Sequence, residues 1–153
     1  MTATNRLLLK ISSVLWVIWG LVHMFAGMMT ISQGTAGAVA GIADAVDPSL
    51  LVGDYHAAVG AVLNQHGFNL LWIGAFTVVG GVMIWRQSIM FIFMTAIVGW
   101  VTDVGYFIFM DLGGFVNFIP GTVMTIISSA AVVLSLWAYF LGTRRNDPEP
   151  TIR

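Results

Sequence analysis

Apolar residues run almost unbroken through four stretches of the chain, residues 7–31, 68–85, 89–110 and 118–141, and polar residues collect between them. Crossing a bilayer takes about 20 apolar residues rising about 1.5 Å each. All four stretches qualify, the second being the shortest. Trp85-Arg86-Gln87-Ser88 and the run from Asp111 to Asn117 are short links, so the helices they join must be antiparallel neighbours. The pattern predicts an all-α membrane protein, a four-transmembrane-helix antiparallel bundle over residues 1–142. The polar, proline-interrupted tail that follows, residues 143–153, reads as disordered and cytoplasmic.

The first stretch invites comparison with a signal peptide, because Arg6 and Lys10 precede it and Ala38-Val39-Ala40 resembles a cleavage site. Its apolar run from Ile11 to Ile31 exceeds the roughly 7–15 residues of a signal core. It reads as a retained span.

A second periodicity lies inside the first. Ser13, Gly20, Gly27 and Gly34 are spaced by seven, and so are Gly60, Gly67, Gly74 and Gly81. Seven residues is nearly two helical turns, so each set makes a thin small-residue stripe on one face. Lipid gives no hydrophobic push between helices, and close approach over small residues takes its place. Spans one and two are therefore expected to pack stripe to stripe at a shallow left-handed crossing. The second stripe starts at Gly60, ahead of its span, which predicts a helix projecting beyond the membrane.

The connection between these spans, residues 32–67, is expected to be a partly helical outer loop across the mouth of the bundle. Val39, Ile42, Ala43 and Val46 fall at helical spacing, and Asp47-Pro48 reads as a cap followed by a proline in the first turn. Asp54 is expected to cap a second short helix over residues 55–64. A long structured connection is commonly a binding loop; the plainer reading is an interfacial hairpin that only shields the bundle.

Composition agrees with lipid as the solvent. The chain is 58% hydrophobic and 8% charged, against about 25% charged in soluble domains. It has no cysteine, which excludes disulfides, thiolate metal sites and thiol nucleophiles. All six basic residues, Arg6, Lys10, Arg86, Arg144, Arg145 and Arg153, fall on one side of the four stretches. Basic flanks stay cytoplasmic. The expected protein is thus a multi-pass integral protein of the plasma or cytoplasmic membrane with both termini cytoplasmic. No basic patch exists elsewhere, so its expected surroundings are membrane lipid and no nucleic acid.

Ionisable residues inside a membrane are costly and usually face the interior. His23 lies 16 residues from Leu7 and Asp103 lies 14 from Ile89, which is roughly 24 Å and 21 Å of climb. Both sit in the outer half at similar depth, and no Lys or Arg is within reach of Asp103. His66 and Asn69 open the second span, with Asp54 and His56 above them, so all three histidines converge on the outer half. Asp111, after the third span, is expected to be solvated.

Three readings of this convergence stand side by side. In the first, a lipophilic small molecule binds or is converted in an outer pocket walled by Trp19, Phe76, Trp100 and Phe107. His23 and Asp103 are then the candidate catalytic pair, with Trp19, Asn69, Trp100, Tyr106 and His66 binding the ligand. In the second, the bundle holds haem b between His23 and His66, or a metal on His23, His56 and His66. In the third, it is a non-catalytic accessory subunit of a membrane complex or a homo-oligomer, and the His23–Asp103 pair is a structural hydrogen bond. A transporter is disfavoured, since no inverted repeat or broken helix is evident.

Residues 20–27, Gly-Leu-Val-His-Met-Phe-Ala-Gly, resemble the first helix of DoxX-like small four-span proteins. The resemblance covers eight residues of one helix and carries no function across.

Overall fold

The structure is a computed structural model that describes residues 2–143. Of the tail expected at 143–153, Thr143 is the last residue of a helix, and the rest, with Arg144, Arg145 and Arg153, lies outside the described residues. The elements are α1 (Ala3–Ser32), α2 (Thr35–Ile42), a single 3-10 turn at Pro48–Leu50, α3 (Ala57–Trp85), α4 (Ile89–Asp111) and α5 (Phe118–Gly142). Four of these are long and apolar enough to cross a membrane, and no strand occurs among the described residues. The chain is the all-α membrane bundle that its hydrophobic pattern predicts. Around the bundle, α1 packs between α3 and α5, and α4 closes the square against the same two helices.

The α1–α3 contact follows the glycine stripes. A Cβ added at Gly20 would stand 2.5 Å from the Gly74 carbonyl oxygen, and one at Gly74 would stand 2.5 Å from the Gly20 oxygen. A Cβ at Gly67 would lie 2.9 Å from the Gly27 oxygen. Ser13 Oγ donates to the Gly81 carbonyl at 2.5 Å. Only glycine lets two backbones meet this closely. The last members of the two stripes, Gly34 and Gly60, do not meet, because α1 ends at Ser32 and Gly34 is already the cap of α2. Gly60 is instead opposed by the Thr35 side chain.

The second long helix starts eleven residues ahead of its apolar stretch, at 57 rather than 68. The separate short helix expected at 55–64 is thus the first part of α3. Its cap is His56, whose Nδ1 accepts from Ala58 N at 3.2 Å, and not Asp54. Nothing between Ala57 and Phe68 breaks a helix except Gly60 and Gly67, and each of these faces a close neighbour on the seam side.

The other two spans are irregular at one end. Within α4, π-helical turns at Ala96–Trp100 and Phe107–Asp111 flank the α-helical Val101–Tyr106. α5 opens with a π-helical turn, Phe118–Thr122, in which Ile119 is extended (φ −115°, ψ 124°) and the Ile119–Pro120 bond is cis. The expectation of unbroken helices therefore fails at the start of α5, where Pro120 removes a backbone donor.

The core occupies the half that holds α1's N-terminus and the α3–α4 turn. Trp16, Trp19 and Ile84 are fully buried there, with Ala131 and Ala138 facing them from α5. The small α5 residues let α1 reach across: Ser12 Oγ donates to Ala131 O at 2.7 Å and Asn5 Nδ2 to Ala138 O at 3.3 Å. At the opposite, loop end, three hydrogen bonds tie the α1–α3 connection to the α4–α5 turn. Ala45 N donates to Phe115 O at 3.1 Å, Asn117 N to Asp44 Oδ1 at 2.7 Å, and Asn117 Nδ2 to Asp44 O at 2.9 Å. Asp47 accepts from Ser49 N and Oγ, as its place before Pro48 predicts, and these bonds hold its carboxyl below the usual aspartate range.

Candidate ligand cavity

A cavity of about 300 Å³ lies at the loop end, bounded by all four long helices and by α2. α1 contributes Val22, His23, Ala26 and Met29; α2 contributes Ala38 and Ile42; α3 contributes His66 and Leu70. Asp103 and Tyr106 come from α4, and Pro120, Gly121 and Met124 from α5. Its existence follows from the irregular helices. Gly121 presents no side chain, and a Cβ there would stand 2.7 Å from the Tyr106 hydroxyl. α1 and α3 close to backbone contact along their seam, and the cavity lies beside that seam, between it and α2, α4 and α5.

Asp103 is the chemical centre, with 2% of its surface exposed. Trp19 Nε1 donates to its Oδ2 at 2.6 Å, a short, charge-assisted distance for such a bond. His23 stacks on the same indole, with ring centroids 3.6 Å apart and planes 19° from parallel. Its Nδ1 lies 2.9 Å from the Trp19 carbonyl oxygen. A carbonyl can only accept, so Nδ1 carries the hydrogen and Nε2 is the atom free to exchange one. Nε2 faces Asp103 Oδ1 at 3.7 Å. That is too long for a hydrogen bond and is a span that one bridging atom can fill. Trp19 and His23 are four residues apart, one turn of α1, and converge on one carboxylate.

Tyr106 and His66 complete the polar lining. The structure gives neither the phenol nor the imidazole a hydrogen bond to another described residue, so both are left to the cavity. Asp44, already held by Asn117, reaches the same space, as does Gln33. Among the described residues no Lys or Arg lines it.

The structure thus brings together His23, Asp103, Tyr106 and His66 as the sequence suggests, and leaves other expected members out. Trp19 is fully buried and holds Asp103 from behind instead of forming a wall. Asn69 accepts from Trp72 Nε1 at 3.2 Å, turned away from the seam glycine two residues before it. Trp100 donates to Ser129 Oγ at 3.0 Å and is 39% exposed. Phe76 stacks with Phe91, and Phe107 is exposed on the bundle surface. The walls expected from α4 assume 3.6 residues per turn, whereas the π-helical turns shift the face on which Trp100 and Phe107 fall. Asp111 is not simply solvated: it accepts from Thr122 Oγ1 at 2.5 Å, and its other oxygen is buried with no partner.

His56 is a helix cap ten residues from His66 on α3, about 15 Å along the axis. It is outside the cavity, and no group of three metal-ligating side chains gathers among the described residues. His23 and His66 do share the cavity. Axial bonding from His23 to a haem iron would have to use Nε2, the atom that faces Asp103, and would displace that contact. The residues that spacing arguments overlooked are Trp19 as a hydrogen-bond donor and Asp44, whereas a helical segment across the mouth was expected and α2 supplies it, four residues earlier than the spacing of Val39 to Val46 suggests. The Trp19–His23 spacing was the one available signal for the first of these.

Compared with known proteins, the chain matches no family model, no curated protein and no solved structure.

Proposed function

We propose that the protein binds a lipophilic small molecule with a hydrogen-bonding group in the loop-end cavity, and that the His23–Asp103 pair exchanges a proton with it. The observation that supports this reading is the convergence of a buried carboxylate and an imidazole on one mostly apolar space. Apolar cavities with a few convergent polar groups are the usual architecture for such ligands. Trp19 orients the carboxylate, and the Trp19 carbonyl sets the histidine tautomer. Nε2 and Oδ1, 3.7 Å apart, then both face the ligand's hydrogen-bonding group as the proton-exchanging atoms. Tyr106 and His66 supply further hydrogen bonds, while Val22, Leu70 and Met124 contact the apolar part. Where the ligand is also converted, the chemistry this pair suits is proton transfer, as in an isomerisation or a quinone-type step.

The placement of Arg6, Lys10 and Arg86 supports cytoplasmic termini, which puts the cavity toward the other face of the membrane. Phe25, 64% exposed and lining the cavity, supports entry from the bilayer.

The test is native mass spectrometry of the protein released from nanodiscs, followed by organic extraction. The reading expects a bound small molecule that His23→Ala and Asp103→Asn lose while insertion stays intact. No adduct from any membrane extract, together with unfolding of both variants, would leave the accessory-subunit reading. Two imidazoles on one cavity also favour haem as a second reading, and the spectrum of the same sample decides it. A Soret band that shifts on dithionite reduction establishes haem, and a spectrum of tryptophan and tyrosine alone removes it.

A further inference from the structure

Charge is divided along the bundle. Arg6, Lys10 and Arg86, the basic residues among those described, sit at the end opposite the cavity, and Lys10 Nζ lies 5.0 Å from the Trp85 ring centroid. Lys10 is 13 residues below His23 on α1, about 20 Å along the axis. Asp44, Asp47, Asp54, Asp103 and Asp111 all belong to the loop half. Two of them, Asp44 and Asp103, line the cavity itself.

This division restricts which ligands fit. A carboxylate or phosphate brought into the cavity would meet Asp44 and Asp103 with no fixed positive charge to offset them. The groups there able to become cationic are His23 and His66. His23 already spends Nδ1 on the Trp19 carbonyl and turns Nε2 to Asp103. An ammonium group would meet the opposite situation. Asp103 Oδ1 is the carboxylate oxygen not engaged by Trp19, the Ser128 hydroxyl is the other hydrogen-bond partner of this carboxyl, and Tyr106 lines the same cavity. Aromatic faces attract cations, and a cleft lined by one sign of charge concentrates ions of the other sign.

We infer that the cavity selects a lipophilic amine, with its ammonium between Asp103 Oδ1 and Tyr106 and its apolar part along Val22, Leu70 and Met124. The inference rests on the loop-end cavity being the ligand site. It adds the charge class of the ligand.

The experiment uses three probes of one chain length and different head charge: decylamine, decanol and decanoate. Each is titrated calorimetrically into the full-length protein in phosphatidylcholine nanodiscs at neutral pH, with empty discs subtracted. Decylamine is expected to bind at least about tenfold more tightly than decanol, and decanoate more weakly than decanol. Asp103→Asn keeps an acceptor for Trp19 and is expected to bring the amine to within about twofold of the alcohol. Decanol or decanoate binding as tightly as the amine would overturn the charge assignment while leaving the cavity as a ligand site. No saturable signal from any probe would overturn the ligand-site reading and this inference with it. The probe series on the native protein decides between these outcomes even where Asp103→Asn does not fold.

Discussion

Glycine takes part in both the α1–α3 seam and the loop-end cavity, and the two regions pack in opposite ways. Along the seam, Gly20 meets Gly74 and Gly27 meets Gly67 with no room for a methyl group. Around the cavity, Gly121 and Pro120 instead help to leave about 300 Å³ open. The difference lies in the backbone. α1 and α3 are regular, so a seven-residue repeat keeps every small residue on the contact line. α4 has two π-helical turns and α5 opens with a broken turn, so their faces drift and the space between them is not closed. Regular helices with small residues make a dry contact. Irregular ones leave space, and π-helical turns are often found at functional sites.

The largest expected effect tests the dry side of this comparison. Gly74→Leu drives a side chain into the Gly20 carbonyl and Met24, and overpacking of that kind costs about 3 kcal/mol or more. Unfolding titrations in mixed micelles should show the variant largely unfolded; a variant as stable as the parent would mean that α1 and α3 do not meet at Gly20. Asp103→Leu comes next. It strands the Trp19 indole N–H in a buried site, which costs about 1–3 kcal/mol, whereas Asp103→Asn keeps the acceptor and loses less. The order of the two variants in the same titration is the check.

Ser13→Ala removes the hydrogen bond to Gly81 but leaves the backbone approach untouched. Interhelical hydrogen bonds in membranes average about 0.6 kcal/mol, and a loss of that size is expected. A loss as large as that of Gly74→Leu would show that the hydroxyl holds the seam, not the glycines. The smallest effect belongs to the cavity. Leu70→Phe adds volume where space exists, so stability should stay within about 0.5 kcal/mol of the parent, in contrast to a new side chain in the seam. The same variant should weaken ligand retention, which native mass spectrometry reads.

Much of the bundle was legible in the sequence because lipid imposes simple rules. Four apolar stretches of sufficient length had to become helices, since no other backbone arrangement in this chain satisfies its own hydrogen bonds in hydrocarbon. The short links required antiparallel neighbours. The two seven-residue stripes predicted that α1 and α3 meet, and the structure pairs Ser13 with Gly81, Gly20 with Gly74 and Gly27 with Gly67 along them. The stripes part at Gly34, where the chain has already left α1. That His23 and Asp103 share one depth also came from counting residues.

What counting could not supply was rotation. Depth along a helix follows from 1.5 Å per residue, but the direction of a side chain accumulates every local departure from 3.6 residues per turn. The π-helical turns carry no mark in the sequence that separates them from ordinary helix, so Trp100 and Phe107 were expected at walls they do not reach. Asn69 was placed by its depth alone, and it bonds Trp72 instead. Hydrogen-bond direction was equally out of reach. Trp19 reads as an apolar wall until the fold aims its indole N–H at Asp103, and Asp44 reads as a loop residue until Asn117 ties it over the cavity. By itself, then, the sequence determined the spans, their order and the depth of the ionisable pair, because these depend on length and polarity. Only the tertiary structure decided which side chains meet around that pair, because this depends on how irregular turns rotate one helix face against another.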